Sequence, residues 1–289
     1  MIVVTGGLGY VGSFLLEHLD FEKERVCCLV RPGKSKSALS ALRETGVEIV
    51  EGDLAQAGSH AKVLAAARVI IHLAHIRYAP QILQSVGAFN ERVVLVSSLW
   101  RFSRVPSAVL SEIVAAEEVV EQSDKPWVLL RPSMIYGPRG DRNISRLAAH
   151  IQRWRFLPIF GNGQHLHQPV YVGDVVSAIL ASVERPGIEH RSYALAGRYP
   201  LSYRELIYAI GRSIGVSPRI VALPARPVVL LLHILRRCGL SVGIDPEQIM
   251  RLQEDKSYSI VEAQQDLGFD PLEFERGLQN MRGRGLDVG

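Results

Sequence analysis

Apolar residues in the first half of the chain gather into short runs. These are Ile2–Val4, Val26–Val30, Val47–Val50, Val69–Leu73, Val93–Val96 and Trp127–Leu130. Runs of that length without polar alternation are the pattern of strands covered on both faces, as in a parallel sheet flanked by helices. Stretches of helical spacing lie between them. Tyr10–Leu19 carries Val11, Leu15, Leu16 and Leu19 on one stripe, and Ser37–Leu42, a helix ending at Val63–Ala67, Pro80–Phe89 and the long Ser107–Gln122 follow. Pro32-Gly33 and Glu51-Gly52-Asp53 punctuate the alternation. Strand and helix in strict turn predict an α/β fold with a doubly wound parallel sheet of the Rossmann type.

Beyond residue 135 the rhythm changes. Proline and glycine cluster at Tyr136-Gly137-Pro138-Arg139-Gly140 and at Phe160-Gly161-Asn162-Gly163. Ile144–Trp154 and Asp174–Val183 read as helices, and Pro169–Val172 and Tyr193–Ala196 as strands. The remainder is mainly helical, punctuated at Pro218, Pro224 and Pro227. The expected division is a main α/β domain over 1–135 and a smaller, mostly helical C-terminal region over 136–289, interleaved with the main sheet. Val228–Leu235 is the most apolar later stretch, interrupted by His233 and closed by Arg236 and Arg237. It is too short to span a bilayer. It is expected to form a core helix, with a helix lying on a membrane surface as the alternative. The Gly-rich tail Met281–Gly289 is expected to fray.

Composition narrows the classes further. Of 289 residues, 47% are hydrophobic and 21% charged, an ordinary globular balance. The net charge of +4 is mild, and no basic run with interleaved aromatics is present. A nucleic-acid partner is therefore not expected. Cys27 and Cys28 are adjacent within an apolar run and Cys238 stands alone. That is neither a disulfide framework nor a zinc spacing, so no metal is expected. The sequence enters its first strand without a basic, apolar leader, which gives a cytoplasmic location as the expectation.

The first strand runs into Thr5-Gly6-Gly7-Leu8-Gly9-Tyr10-Val11-Gly12. In a strand–loop–helix context these glycines have separate tasks. Gly6 permits the tight turn, Gly9 lets a phosphate approach the backbone, and Gly12 lets the helix pack on the sheet. A dinucleotide pyrophosphate would then lie at the helix N-terminus. The second strand ends in Arg31-Pro32-Gly33-Lys34, with no carboxylate. Arg31 and Lys34 suit a ribose 2′-phosphate, which favours NADP(H) over NAD(H). Asp53 is placed either to accept from the adenine amino group or to cap the next helix. His72 reads as a packed core residue, while His75 lies beyond the strand end beside the cofactor path.

These motifs resemble the extended and atypical branches of the short-chain dehydrogenase/reductase superfamily, which include NAD-dependent epimerases and dehydratases. The resemblance is carried by Thr5–Gly12, Gly52-Asp53-Leu54, Ile71-His72-Leu73-Ala74, Val96-Ser97-Ser98, Leu130–Pro138 and Val170–Val175, with Asp266-Leu267-Gly268-Phe269 near the end. In style the chain is similar to NmrA-type regulators and to the NAD(P)H-binding accessory subunit of respiratory complex I. The resemblance implies cofactor contacts from the loop residues Gly6, Gly9, Tyr10, Val11 and Gly12, from Arg31 and Lys34, and from Asp53 and Leu54. It adds Leu73, Ala74 and His75 after the fourth strand, Ser97 after the fifth and Pro132 after the sixth. It also implies a small-molecule or sugar-nucleotide-like ligand beside the cofactor, and a homodimer or other protein partner.

The superfamily's chemistry uses a Ser or Thr after the fifth strand and Tyr-x-x-x-Lys on the next helix, whose spacing puts both side chains on one helix face. Here Leu99, Val109 and Ile113 stand at those positions. No tyrosine lies between Tyr78 and Tyr136, and none of the nine tyrosines has a lysine four residues later. Ser98, His75, Tyr136 and the pair His165/His167 are the remaining candidates for proton transfer, although His165 and His167 read first as a solvated loop. Asp174 reads first as a helix N-cap. The segments from Ala74 to Val93 and from Ser98 to Val109 are both short for the superfamily. Three functions stay open: an oxidoreductase or epimerase with a non-standard proton donor, a non-catalytic dinucleotide sensor, and a structural subunit holding NADP within a larger assembly.

Overall fold

The structure, a computed structural model, describes residues 1–283 apart from 57, 59, 142, 239–242 and 244. Strand and helix alternate through the first half as β1 (Ile2–Thr5), α1 (Tyr10–Leu16), β2 (Val26–Val30), α2 (Lys36–Glu44), β3 (Glu48–Glu51), α3 (Ala61–Ala65), β4 (Val69–His72), α4 (Ala79–Gln84), β5 (Arg92–Val96), α5 (Ala108–Glu121) and β6 (Trp127–Pro132). The second half continues with β7 (Ile135–Tyr136), α6 (Ile144–Trp154), β8 (Phe156–Phe160), β9 (Leu166–His167), β10 (Val170–Tyr171), α7 (Val172–Glu184) and β11 (Arg191–Leu195). It closes with β12 (Leu201–Ser202), α8 (Tyr203–Ser213), β13 (Arg219–Leu223), α9 (Ala225–Arg237), α10 (Pro246–Arg251), α11 (Val261–Leu267) and α12 (Phe274–Gly283).

Among the described residues, seven strands form one sheet in the order β11-β6-β5-β4-β1-β2-β3. Every pairing is parallel, with Ile2 beside Val26 on one side and Val69 on the other. The order steps outward from β1 in both directions, so a crevice opens between β1 and β4 at their carboxyl ends, where ligands bind in doubly wound sheets. Side chains alternate between two cores. Ile2, Val4, Cys28 and Ile71 join one with Phe14 and Leu15 of α1 and Val176 and Ile179 of α7. Val3, Cys27 and Ile70 join the other with Leu64 of α3, Ile82 of α4, and Ile113 and Val120 of α5. Burial on both faces explains why the strands read as unbroken apolar runs.

The differences from the sequence reading have local causes. α1 stops at Leu16 because its last turn tightens, the His18 N–H bonding to the Leu15 carbonyl at 2.9 Å. The expected helix Pro80–Phe89 is a 3-10 turn at Ile76–Tyr78 followed by α4, and Ser85 and Val86 turn back onto Ile82 and Leu83. The strand expected at Tyr193–Ala196 is β11, which pairs with β6 and completes the sheet from beyond residue 135. Of the three small pairs, β7 with β10, β9 with β12 and β8 with β13, β10 answers the strand expected at Pro169–Val172, and the other strands and the pairings went unread. Each pair joins short segments distant in sequence, so the pairing carries no local signal. The core-helix expectation for Val228–Leu235 is corrected: on α9 Leu232 is buried, but Leu230 is 62% exposed, Leu231 54% and Ile234 50%. α9 packs along α10 at the edge of the molecule rather than between layers. Among the described residues no helix is long and apolar enough to cross a membrane. Of the Gly-rich tail, 284–289 lie outside the described residues.

Candidate functional site

The loop between β1 and α1 is built from close backbone contact. Gly6 has φ +76°, and a Cβ there would stand 2.7 Å from the backbone of Leu73 and Ala74. The loops after β1 and β4 therefore touch, which brings Leu73 and Ala74 beside Gly6. The Gly9 N–H bonds to the Gly6 carbonyl at 2.8 Å and folds the loop onto the start of α1. A Cβ on Gly9 would lie 3.0 Å from that same oxygen, and one on Gly12 at 2.4 Å. What remains is a bare backbone cradle at the β1–β4 crevice, of the kind that admits a phosphate. Tyr10 donates to the Pro138 carbonyl at 3.1 Å, and burial raises its phenol above the ordinary range. It ties the loop to the segment after β7. Val11 packs partly against the core.

Arg31 and Lys34 are exposed beyond β2, with no ion-pair partner among the described residues. Asp53 follows β3, and its Oδ1 accepts the Ala55 N–H at 2.9 Å. α3 begins at Ala61, after His60, so Asp53 closes a turn of its own and does not cap that helix. Leu54 is buried beneath it. His72 is fully buried, with Nδ1 2.7 Å from the Thr5 hydroxyl, and burial pushes its pKa down to about 4. It is a neutral packing residue. The His75 ring turns toward α5: Nδ1 accepts the Arg77 N–H at 3.3 Å and Nε2 stands 3.9 Å from Glu112.

At the ends of β5 and β6 the polar groups divide. Ser97 donates its hydroxyl to Glu117, which is fully buried on α5. Arg131 reaches the same carboxylate at 2.7 Å and Arg101 at 3.1 Å. Arg131 also bonds Ser192 at 2.7 Å and Glu121 at 2.7 Å. Ser97 is thus committed to a buried ionic network. Ser98 accepts the Trp100 N–H at 3.1 Å and leaves its own proton available. Pro132 ends β6, and the next residue, Ser133, donates to the Gln168 carbonyl.

Ser98 and Ser133 stand in the wall of a cavity of about 1450 Å³ that extends between α6, α8, α9 and α10. The glycine loop is outside its lining. His167 and Tyr203 also line it, their rings 5.2 Å apart. The solvated-loop reading of the two histidines holds for neither in full. His165 is half-buried beside Asp255 at 3.4 Å, whereas His167 is buried, and its Nε2 has no partner among the described residues. Burial, with Lys256 nearby, lowers His167 to about 4, so the imidazole is neutral at physiological pH. Tyr136 leaves the candidates for proton transfer. It is fully buried against Tyr171 and Phe274, with its hydroxyl on the Phe274 carbonyl at 3.4 Å and its pKa raised by burial. Its hydroxyl is wedged under Gly277 of α12 and cannot meet a ligand in the cleft. Among the described residues no group of three or more His, Cys, Asp or Glu is placed to hold a metal ion.

Residues 1–88 match the NmrA-like family, and residues 110–196 match the NAD dependent epimerase/dehydratase family. Over 240 residues the chain is 28% identical to the mitochondrial NADH dehydrogenase (ubiquinone) 1 alpha subcomplex subunit 9 of Arabidopsis thaliana, covering 76% of this chain and 60% of that protein. It is 25% identical to the ceramide reductase of Caulobacter vibrioides, covering 78% of this chain and 74% of that protein. In structure it superposes on UDP-glucuronic acid 4-epimerase from Bacillus cereus, solved with UDP-glucuronic acid and NAD, with a TM-score of 0.73 at 18% identity over 98% of each chain. Together these matches support an extended/atypical short-chain dehydrogenase/reductase superfamily for the chain. It spans 60% of the length of the plant relative.

The residues expected from the sequence at the superfamily's proton-handling positions, Leu99, Val109 and Ile113, are all apolar. Leu99 is buried in the core with α1 and α7. Val109 is 37% exposed at the start of α5, and Ile113, one turn on, is packed in the opposite core. None can exchange a proton. The sequence reading missed Glu117, Arg131 and Arg101 as a unit. One signal was available: Glu117 lies on the same stripe of α5 as Ile113 and Val120, and a carboxylate on an apolar stripe requires a buried partner. His167 had no such signal, because β9 is two residues long and its neighbours come from elsewhere.

Asp174 lies in the first turn of α7, after Tyr171 at the N-cap position, so the expected N-cap role is corrected. Its Oδ2 accepts the Leu272 N–H at 2.9 Å, anchoring the segment before α12. Burial raises its pKa to about 6. Between pH 4 and 6 the folded state therefore binds more protons than the unfolded one, and this group's contribution to stability falls as pH rises through that window. Asp174→Asn, which keeps an acceptor for Leu272, is expected to stabilise the fold at pH 7.5 by about 1–2 kcal/mol after discounting for partial solvation. The gain should vanish near pH 4. Urea unfolding of both forms across pH 4–8 measures this, and a pH-independent difference would refute it.

Proposed function

We propose that this chain binds NADP(H) along the β1–β4 crevice and sets the nicotinamide end against a small molecule in the adjoining cavity, acting in hydride transfer without the Tyr–Lys pair. The observation that carries the reading is the cavity itself, which starts at Ser98 and Ser133 at the carboxyl ends of β5 and β6. A chain that held a dinucleotide purely as a structural element would have no use for a ligand-sized space at that end. The glycine cradle supports the pyrophosphate, with Tyr10 and Val11 at its rim, Leu73 and Ala74 as the facing wall and His75 next in the chain. Arg31 and Lys34 support the 2′-phosphate, Asp53 the adenine amino group, and Leu54 the packing beneath it. Pro132 supplies an apolar wall, and Ser97 contributes through its backbone, its hydroxyl being engaged by Glu117. When bound, the nicotinamide supplies or accepts the hydride. Ser98 and His167 offer a hydroxyl and a neutral imidazole to a carbonyl or hydroxyl in the cavity.

The test is calorimetric titration of cofactor-stripped protein with NADPH, NADP, NADH and NAD. Tighter binding of the phosphorylated pair is expected. Arg31→Asp with Lys34→Ala should weaken NADPH by about 10-fold or more, the scale of one lost charge-assisted hydrogen bond, and NADH far less. Equal losses would show that these two side chains do not read the 2′-phosphate. Binding of none of the four would overturn the whole reading. The second reading, an NADP-holding subunit of an assembly, is favoured by the likeness to the plant NADH dehydrogenase subunit together with the lost pair. It predicts cofactor retained through purification and no oxidation of NADPH with any carbonyl substrate.

A further inference from the structure

We infer that the cavity holds the hydrocarbon chain of an amphiphilic small molecule, with its hydroxyl or carbonyl end at the wall formed by Ser98 and His167 and its tail passing outward along α9. The orientation rests on the cleft proposed above; the chain-binding surface stands without it. At about 1450 Å³ the cavity exceeds the roughly 300–1,000 Å³ of ordinary small-molecule sites. Its lining includes the apolar side chains of Phe102, Leu147, Leu157, Leu206, Val229 and Leu230. Phe102 and Leu230 both line the cavity and are more than half exposed to water. Such apolar surface gains most when a hydrocarbon covers it. On α9 the contribution is a single face: Arg226, Val229, Leu230 and His233 follow i, i+3, i+4, i+7 spacing and all line the cavity.

Trp100 Nε1, His150 Nε2 and His167 Nε2 belong to lining residues, and none has a hydrogen-bond partner among the described residues. His167 is more than nine-tenths buried. Buried polar atoms of that kind require a partner, and a ligand's polar head supplies one. Several charged groups of the lining are engaged with protein partners. Glu254 accepts from Ser103 at 2.8 Å and from the Arg104 backbone, and Asp255 accepts the Leu166 N–H at 2.9 Å. Lys256 donates to the Arg251 carbonyl at 2.7 Å, and the Arg251 guanidinium lies over the Trp100 ring at 4.5 Å. Arg104, Arg146 and Arg226 also line the cavity, and a nucleotide diphosphate is the rival occupant against which the experiment is set.

The experiment is displacement of 11-(dansylamino)undecanoic acid from the full chain, without dinucleotide, by straight 1-alkanols from hexanol to dodecanol. Affinity is expected to rise about 4-fold per added methylene, the increment for transferring a methylene out of water. Leu230→Glu should weaken dodecanol at least 10-fold and hexanol little. Leu231→Glu, on the same helix but outside the cavity lining, should change neither. Affinity independent of chain length, equal losses in the two variants, or displacement by UDP-glucuronic acid but not by the alcohols would each overturn the inference. The chain-length slope without NADP(H) binding in the separate titration would uphold the cavity assignment and refute the cleft reading alone.

Discussion

Gly12→Ala is expected to weaken NADPH binding by about 10- to 100-fold, the loss of a charge-assisted hydrogen bond between backbone and phosphate. The added methyl would sit 2.4 Å from the Gly6 carbonyl and 2.7 Å from the Gly7 Cα. Both are backbone atoms, so no side-chain rotation relieves the clash, and α1 must draw back from the loop. The same displacement opens the contact of α1 with the sheet and costs about 1–3 kcal/mol of stability, as overpacking does elsewhere. Gly87→Ala is the matched control. Its Cβ would meet Ala65 at 3.6 Å or more, an ordinary contact, and it lies outside the loop. It should leave binding unchanged and stability within about 0.5 kcal/mol. NADPH titration and urea unfolding of both variants test this. Retained affinity in Gly12→Ala would mean that the loop does not carry the phosphate.

The parallel sheet was legible because burial on both faces writes itself into consecutive residues: Val3 and Val4 face opposite cores, and so do Cys27 and Cys28. The glycine loop was legible for a similar reason, since Gly6, Gly9 and Gly12 each answer a contact within a few residues or with the next strand. What escaped depends on partners far along the chain. Phe156–Phe160 becomes a strand through pairing with Arg219–Leu223, and neither stretch shows it alone. α9 carries leucines at helical spacing, which reads as a core stripe, yet whether such a stripe meets a layer or a cavity is set by α10 and α6. Tyr136 shows the same limit from the other side. It sits in a motif of the superfamily, and its distance from the chemistry became visible once α12 closed over it.

The largest stability effect is expected at Glu117. Glu117→Ala should cost about 3–5 kcal/mol, the penalty for breaking a buried ion pair by removing one partner. That is a large share of the roughly 5–15 kcal/mol that holds an ordinary domain together. The carboxylate is inaccessible to water and accepts from Ser97, Arg101 and Arg131 at once. Its loss strands the Arg131 guanidinium, itself buried, with Glu121 as its remaining carboxylate and Ser192 as its other partner. Glu117→Gln keeps the volume and one acceptor but removes the charge, so an intermediate loss is expected. Because the pair is shielded, raising salt to about 1 M should change the difference little, whereas an exposed pair would be screened. Ser97 also loses the acceptor that fixes it to α5, and the end of β5 forms one wall of the proposed cleft, so dinucleotide affinity should fall with stability. Urea midpoints of the three forms at low and high salt decide the matter. A loss under about 1 kcal/mol that salt abolishes would show that water reaches the network. The proposed loss, unmoved by salt, would show that α5 is anchored to the sheet by a charge cluster one to three turns beyond Val109 and Ile113.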